Sequence, residues 1–342
     1  MTVLVTGGSG LVGSHVIEAL RSRGETVRAL VRPASRATVE QLGAEAVPGD
    51  VTDLATWRAA TRDERGGRTG MRGGTGGTVR AIVHAAALVQ RRGSWEQYVA
   101  VNVEATRLAA QAARAAGARL VHISSVAVYG GVAAYRPEPE RRTEDFPFSP
   151  IAERDFYART KRMAEAVVRE AARDGLCAVA LRPNVVYGER DRLFTPRVLR
   201  VVRLGVVPRI GPGTNRLSTV YAGNVAAAAI AALDAPVSGF RAYNVTSDAA
   251  PLLTQREFFA ACAAALGSRL RTIPVPAALA RLAMSVWTSP RLARAAASFI
   301  TGENPYVDDL ARQELGWQPP FAAADAVRRT VRWFVENETP GH

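Results

Sequence analysis

Tyr157 and Lys161 carry the most explicit chemistry in the sequence, four positions apart in Tyr157-Ala158-Arg159-Thr160-Lys161. On a helix that spacing puts both on one face. A free phenol, with a pKa of about 10, is a poor acid or base at neutral pH. An ammonium beside it, aided by the positive ring of an oxidised nicotinamide, lowers that value and makes the phenol usable. The lysine is singular: the 44 basic residues are 43 Arg and one Lys, so Arg serves wherever a generic cation is needed. A compact ammonium can both tune the phenol and reach ribose hydroxyls of a cofactor. Tyr157 and Lys161 are therefore read as catalytic and as cofactor contacts. A hydroxyl must also hold the substrate carbonyl, and Ser124-Ser125 offers two.

Hydride chemistry needs a dinucleotide, and the chain begins with a loop suited to one. Thr6-Gly7-Gly8-Ser9-Gly10-Leu11-Val12-Gly13 follows a strand-like run and opens a helix, with Gly7, Gly10 and Gly13 in a GxxGxxG spacing. Glycines there let backbone approach a pyrophosphate, which the N–H groups from Leu11 and Val12 onward and the helix dipole would hold. Where an NAD site would place Asp or Glu after the second strand, this chain has Val31-Arg32-Pro33. A guanidinium suits a 2′-phosphate, so NADP is preferred, with NAD possible and Arg36 as a second contact. Asp50 and Val51 follow a short third strand and are placed near the adenine. Ala85, Ala86 and Ala87 supply small residues where backbone must pass close to the cofactor, while His84 before them is read as structural.

These residues need elements to position them. Val3 to Val5, Thr26 to Val31, Ala46 to Val47, Ala81 to His84, Leu120 to Ile123 and Ala178 to Leu181 read as strands. Helices are expected at Leu11 to Arg21, Trp95 to Ala116 and Arg154 to Arg173. Helix following strand repeatedly implies an α/β, Rossmann-type, doubly wound parallel sheet. Residues 1–188 are assigned to the dinucleotide-binding domain with the catalytic residues. Residues 189–342, with helices near Ala222 to Leu233, Gln255 to Leu266 and Ala324 to Glu336, are assigned to a smaller substrate-binding lobe interleaved with it. Gly66 to Gly77, with seven glycines, reads as a flexible insertion that cannot offset its own ordering entropy.

Composition narrows the rest. In 342 residues, 48% hydrophobic and 22% charged content exclude disorder. Cys177 and Cys262 stand far apart and support neither a disulfide framework nor a metal site. The net charge of +13 is spread over Arg in helices and loops and is read as a solvated surface, with no nucleic-acid partner. Without an apolar stretch long enough for a bilayer, and with an apolar run already opening at residue 2, the expectation is a cytoplasmic protein with no membrane partner.

The glycine loop, Tyr157 with Lys161, and Ser124-Ser125-Val126-Ala127-Val128-Tyr129-Gly130 together resemble the extended short-chain dehydrogenases/reductases of the NAD-dependent epimerase/dehydratase superfamily. Leu181-Arg182-Pro183-Asn184-Val185-Val186-Tyr187-Gly188, Val220 to Val225 and Leu315 to Pro319 extend the resemblance over nearly the whole chain. The resemblance implies that Ser125, four positions before Tyr129, is catalytic, with Ser124 supporting it. It places Pro183 and Val185 beside the nicotinamide, and Ser125, Tyr157 and Asn184 at the substrate. Ala29 to Pro33 and Arg182 to Arg190 look closest to the hydroxysteroid dehydrogenase-like and dihydroflavonol reductase-like branch. That implies an NADP(H)-dependent reductase of a small-molecule ketone. The alternatives are a redox-neutral nucleotide-sugar epimerase and a non-catalytic NADP-binding protein. The resemblance also implies a homodimer, joined through the helices at Trp95 to Ala116 and Arg154 to Arg173.

Overall fold

The computed structural model describes residues 2–62, 79–89, 93–130, 139–276, 278–280, 282 and 298–337. The glycine-rich stretch Gly66 to Gly77 lies outside them. So do parts of the loops Val89 to Trp95 and Tyr129 to Ile151, and most of Ile273 to Trp287. The N-terminal strands are β1 (Thr2–Thr6), β2 (Thr26–Val31), β3 (Glu45–Pro48), β4 (Val79–His84), β5 (Arg119–Ile123) and β6 (Ala178–Pro183). They follow the expected runs because each is rich in β-branched or aliphatic residues. β1, for example, is buried along its whole length, as a strand covered on both faces must be.

The remaining strands are β7 (Val185–Tyr187), β8 (Val206–Ile210), β9 (Thr219–Tyr221), β10 (Phe240–Val245) and β11 (Arg271–Val275). The main sheet runs β10-β6-β5-β4-β1-β2-β3 with every pairing parallel. Its edge strand β10 comes from beyond residue 188, so both halves of the chain build one sheet. β7 with β9 and β8 with β11 form two small parallel ribbons.

Strand alternation divides the core. Val3 and Val5 face α1 (Leu11–Ser22) and α8 (Ala222–Asp234), packing on Val16, Ile17, Val225 and Ala229. Leu4, Leu30, Ile82 and Leu120 face the other way, onto Trp57, Ala109 and Val168. The helices on that side are α3 (Leu54–Thr61), α5 (Ala105–Ala115) and α6 (Phe156–Arg173). α5 continues from α4 (Trp95–Tyr98) through a π-helical segment, Val99–Glu104. A further apolar cluster joins α7 (Thr195–Arg203), α9 (Gln255–Ala265) and the helix Ala323–Asn337 around Tyr187, Phe258 and Val327. Chain order reverses at β1, whose neighbours are β2 and β4. The crevice outside the carboxyl ends of a parallel sheet at such a switch point is where ligands bind.

Candidate active site

The glycine loop occupies that crevice. Gly7 has φ +68°, and a Cβ on it would lie 2.7 Å from the Ala86 nitrogen and 2.8 Å from the Ala85 carbonyl carbon. A Cβ on Gly13 would sit 2.2 Å from the Gly7 oxygen. Gly10 N donates to Gly7 O at 2.9 Å and caps α1 without any side-chain hydrogen bond, and the first turn carries no acid. The N–H groups that follow, starting with Leu11, Val12 and Gly13, therefore open the helix with a positive dipole end and no protein anion on it, which fits a pyrophosphate. Thr6 fixes the neighbouring loop: its hydroxyl meets His84 Nδ1 at 2.8 Å and accepts from Ala86 N at 3.3 Å. Burial first, and the nearby Lys161 charge second, hold His84 down to about 3, so it is a neutral structural pin. Ala85, Ala86 and Ala87 follow it, half-buried.

Arg32 stands exposed just past β2, and no hydrogen bond or ion pair holds its guanidinium among the described residues. Arg36, by contrast, pairs with Glu40 at 2.8 Å. Asp50 is exposed at the end of β3, its carboxylate accepting from Thr52 N at 2.9 Å, and the Val51 carbonyl accepts the Trp57 indole N–H at 2.7 Å. Asp50 and Val51 are thus held by their own turn.

The residues expected to be catalytic converge from β5 and α6. Asp155 caps α6 through Ala158 N, and an amphipathic pattern buries Ala158, Lys161, Glu165 and Val168. Three residues of this helix, spaced by four, each meet one of three successive residues at the end of β5, Ile123 to Ser125. Tyr157 sits against Ser125, whose hydroxyl pulls its phenol down. Lys161 Nζ donates to Ile123 O at 2.5 Å. Glu165 accepts from Ser124 Oγ at 2.9 Å. Ser125 also accepts from Ala127 N at 3.2 Å, so its hydroxyl is oriented from two sides.

The electrostatics depart from expectation at one point. Burial pushes the Tyr157 phenol above the usual tyrosine range, with the Ser125 hydrogen bond pulling the other way and Asp155 adding to the rise. Lys161 is not among the groups that move the Tyr157 phenol; its ammonium donates to the Ile123 carbonyl. Burial in turn lowers Lys161 to about 8, against the opposing pull of Glu165.

Three participants escaped the sequence reading. Asn102, in the π-helical segment, accepts from Leu88 N at 2.7 Å, donates to Leu88 O at 3.1 Å and donates to Thr160 Oγ1 at 3.0 Å. It ties the loop after β4 to α6. Glu165 and Arg182 form a buried pair, Nε to Oε2 at 3.0 Å and Nη2 to Oε1 at 2.5 Å. Arg182 Nη1 also donates to the Tyr129 hydroxyl at 2.7 Å. The available signal was a polar residue inside an apolar run: Asn102 between valines, Arg182 within β6, and Glu165 one turn beyond Lys161.

Pro183 ends β6 and Val185 opens β7. Between them Asn184 is buried, donating to Thr246 O at 3.3 Å and Asn304 Oδ1 at 3.1 Å. Its Oδ1 has no partner among the described residues. Thr246 and Asn304 line a cleft of about 410 Å³ whose walls include Leu217, Leu253, Phe258 and Tyr306. Tyr306 stacks on Tyr129, with ring centroids 5.2 Å apart, which connects this cleft to the Ser125 loop.

Residues 3–246 match the sequence model of the NAD dependent epimerase/dehydratase family. A 4-hydroxy-2-methyl-3-oxo-4-farnesyl-3,4-dihydroquinoline-1-oxide ketoreductase of Stigmatella aurantiaca is 31% identical, over 93% of this chain and 92% of its own. A 2-alkyl-3-oxoalkanoate reductase of Stenotrophomonas maltophilia is 28% identical, over 96% and 98%. Among solved structures, the UDP-glucose 4-epimerase of Thermus thermophilus complexed with NAD superposes with a TM-score of 0.69 at 27% identity, covering 99% of this chain and 100% of that one.

Proposed function

Since the chain belongs to the NAD dependent epimerase/dehydratase family, we propose that it is an NADP(H)-dependent oxidoreductase interconverting a ketone and a secondary alcohol, with Tyr157 as general acid and base. The observation that carries this reading is Tyr157 facing the Ser125 hydroxyl beside the buried Lys161, which is anchored on the Ile123 carbonyl. When bound, the nicotinamide cofactor supplies or accepts the hydride. The uncapped start of α1 with Gly7, Gly10 and Gly13 would hold its pyrophosphate, Arg32 a 2′-phosphate, and Asp50 with Val51 its adenine side. Ala85, Ala86, Ala87, Pro183 and Val185 would border the nicotinamide side.

In the reductive direction Ser125 donates to the substrate carbonyl oxygen and Tyr157 delivers the proton as that oxygen gains charge. A phenol held above its ordinary pKa is protonated at neutral pH but a weak acid, so its use as donor and base would need positive charge from Lys161 and the bound cofactor to bring it down. Lys161 holds the Ile123 carbonyl, keeps Ser125 in register with Tyr157 and adds a positive charge beneath the site. The substrate would enter the cleft beside Asn184, whose free carbonyl oxygen offers an acceptor. Leu217, Leu253 and Phe258 give the cleft one apolar side for the alkyl part of a ketone, opposite polar groups that include Arg216, Asp248 and Glu303, and the farnesyl and alkyl groups in the names of the two relatives favour such a substrate.

The test is loss of NADPH absorbance with a panel of apolar ketones, using Lys161→Ala as control. Consumption that requires Lys161 is expected. The rate should fall as pH rises through about 8, where Lys161 loses its proton; a solvated lysine would put that limb at about 10.4. No consumption with any ketone would favour redox-neutral epimerisation, in which the hydride returns to the substrate in each cycle.

Arg32→Ala gives a second readout. Losing charge-assisted hydrogen bonds to a 2′-phosphate, each worth about 1.5–3 kcal/mol, should raise the KM for NADPH roughly tenfold or more and leave that for NADH nearly unchanged. Equal loss with both cofactors would remove Arg32 from the 2′-phosphate role.

A further inference from the structure

Arg is spread along the whole chain, but Asp and Glu are not. No acidic residue lies between Asp191 and Asp234, an interval with six Arg, and none lies between Glu257 and Glu303. These two intervals meet in the ribbon of β8 and β11. The parallel register pairs Val206 with Arg271 and Pro208 with Ile273, so these four share a face, and all four are exposed. Val207 and Ile210 of β8 are buried.

The same ribbon gathers exposed apolar surface. The four most exposed large apolar side chains among the described residues are Leu204 (74%), Leu282 (65%), Leu279 (57%) and Ile273 (53%). Leu204 immediately precedes β8, Ile273 lies in β11, and Leu279 and Leu282 follow β11 closely. Singly exposed apolar residues need no explanation, but Leu204, Val206 and Ile273 exposed at one ribbon do. Exposed Arg269 and Arg271 adjoin them, and Arg197, Arg200 and Arg203 lie exposed along the preceding helix α7.

We propose that the β8–β11 ribbon docks the protein on an anionic phospholipid surface, with Leu204 and Ile273 entering the headgroup–acyl boundary and the arginines meeting lipid phosphates. Aliphatic insertion combined with basic charge is what interfacial binding requires. Duplex nucleic acid would match the charge and leave the leucines unused. A two-fold contact with a second copy would set an acid-free, Arg-bearing face against itself, which like charges oppose. The expectation of no membrane partner rested on the lack of a spanning stretch, and no described helix is long and apolar enough to cross a bilayer. Lying on a bilayer makes a different demand. The ribbon also adjoins the cleft: Gly211 N bonds Val275 O at 3.3 Å, and the segment leads on to Arg216 and Leu217 in the cleft wall.

The experiment is flotation of the full chain with vesicles of phosphatidylglycerol and phosphatidylcholine, against phosphatidylcholine alone. Binding to the anionic vesicles that weakens with salt is expected. Both Leu204→Ser/Ile273→Ser and Arg269→Glu/Arg271→Glu should reduce it by about tenfold or more, with melting temperature and dinucleotide binding retained, since all four residues are exposed. The proposal is overturned if the wild-type chain ignores both vesicles or floats equally with each. It is also overturned if the serine variant floats like wild type, the mark of unspecific charge adsorption. Two further outcomes count against it: tight binding to duplex DNA without flotation, or a wild-type dimer that the serine substitutions turn into monomer without any vesicle binding.

Discussion

Tyr157→Phe is expected to cut ketone turnover by about a thousandfold, within the range for loss of a positioned general acid, while NADPH affinity changes by no more than about twofold. The substitution removes one oxygen from a half-buried side chain, and its neighbours tolerate the loss. Ser125 keeps the bond it accepts from Ala127 N, and Lys161 keeps the Ile123 carbonyl. The loop geometry should therefore survive, so the loss falls on kcat and not on KM. Stopped-flow NADPH oxidation together with fluorescence titration of NADPH separates the two. Near-normal turnover would remove Tyr157 as proton donor and, with it, the mechanism. Comparable loss of turnover and cofactor affinity would instead indicate a structural role.

The largest stability effect is expected at Arg182. Its guanidinium is buried, with the Glu165 carboxylate, the Tyr129 hydroxyl and the Glu144 carbonyl as partners. Arg182→Met leaves the buried Glu165 carboxylate with only the Ser124 hydroxyl and the longer 3.7 Å contact from exposed Arg169. Breaking such a pair from one side costs about 3–5 kcal/mol, which for a chain of this size lowers the melting temperature by roughly 10 °C. Removing both charges in Arg182→Met/Glu165→Leu should recover most of that, leaving only lost hydrogen bonds at Ser124 and Tyr129 of about 1 kcal/mol each. Thermal unfolding of the wild type, both single variants and the double variant forms the cycle. If the double variant is as unstable as the sum of the singles, the two groups act independently and the buried pair is not the source of the effect.

Much of this molecule was legible in the chain itself. Apolar runs such as Val3 to Val5 and Ala178 to Leu181 announce strands buried on both faces, and alternation with helices makes the sheet parallel. Asn102, Glu165 and Arg182 were not legible as participants, because each looks like a polar interruption of an apolar pattern. Their partners lie far off in sequence, Leu88 and Thr160 for Asn102, and Ser124 and Arg182 for Glu165. The ribbon was hidden for a different reason. Its two acid-free intervals are separated by β10 and the start of α9, and only strand pairing joins them.

The sequence by itself determined the glycine turn, the helix carrying Tyr157 and Lys161, and the order of strand and helix, because all of these depend on local periodicity and on residues within a turn or two of one another. The tertiary structure decided that β10, beyond residue 188, completes the sheet. It also distinguished the two serines: Ser125 meets Tyr157 while Ser124 is committed to Glu165. Adjacent residues leaving a strand point to different neighbours, and which neighbour each meets depends on how α6 packs across β5 and β6.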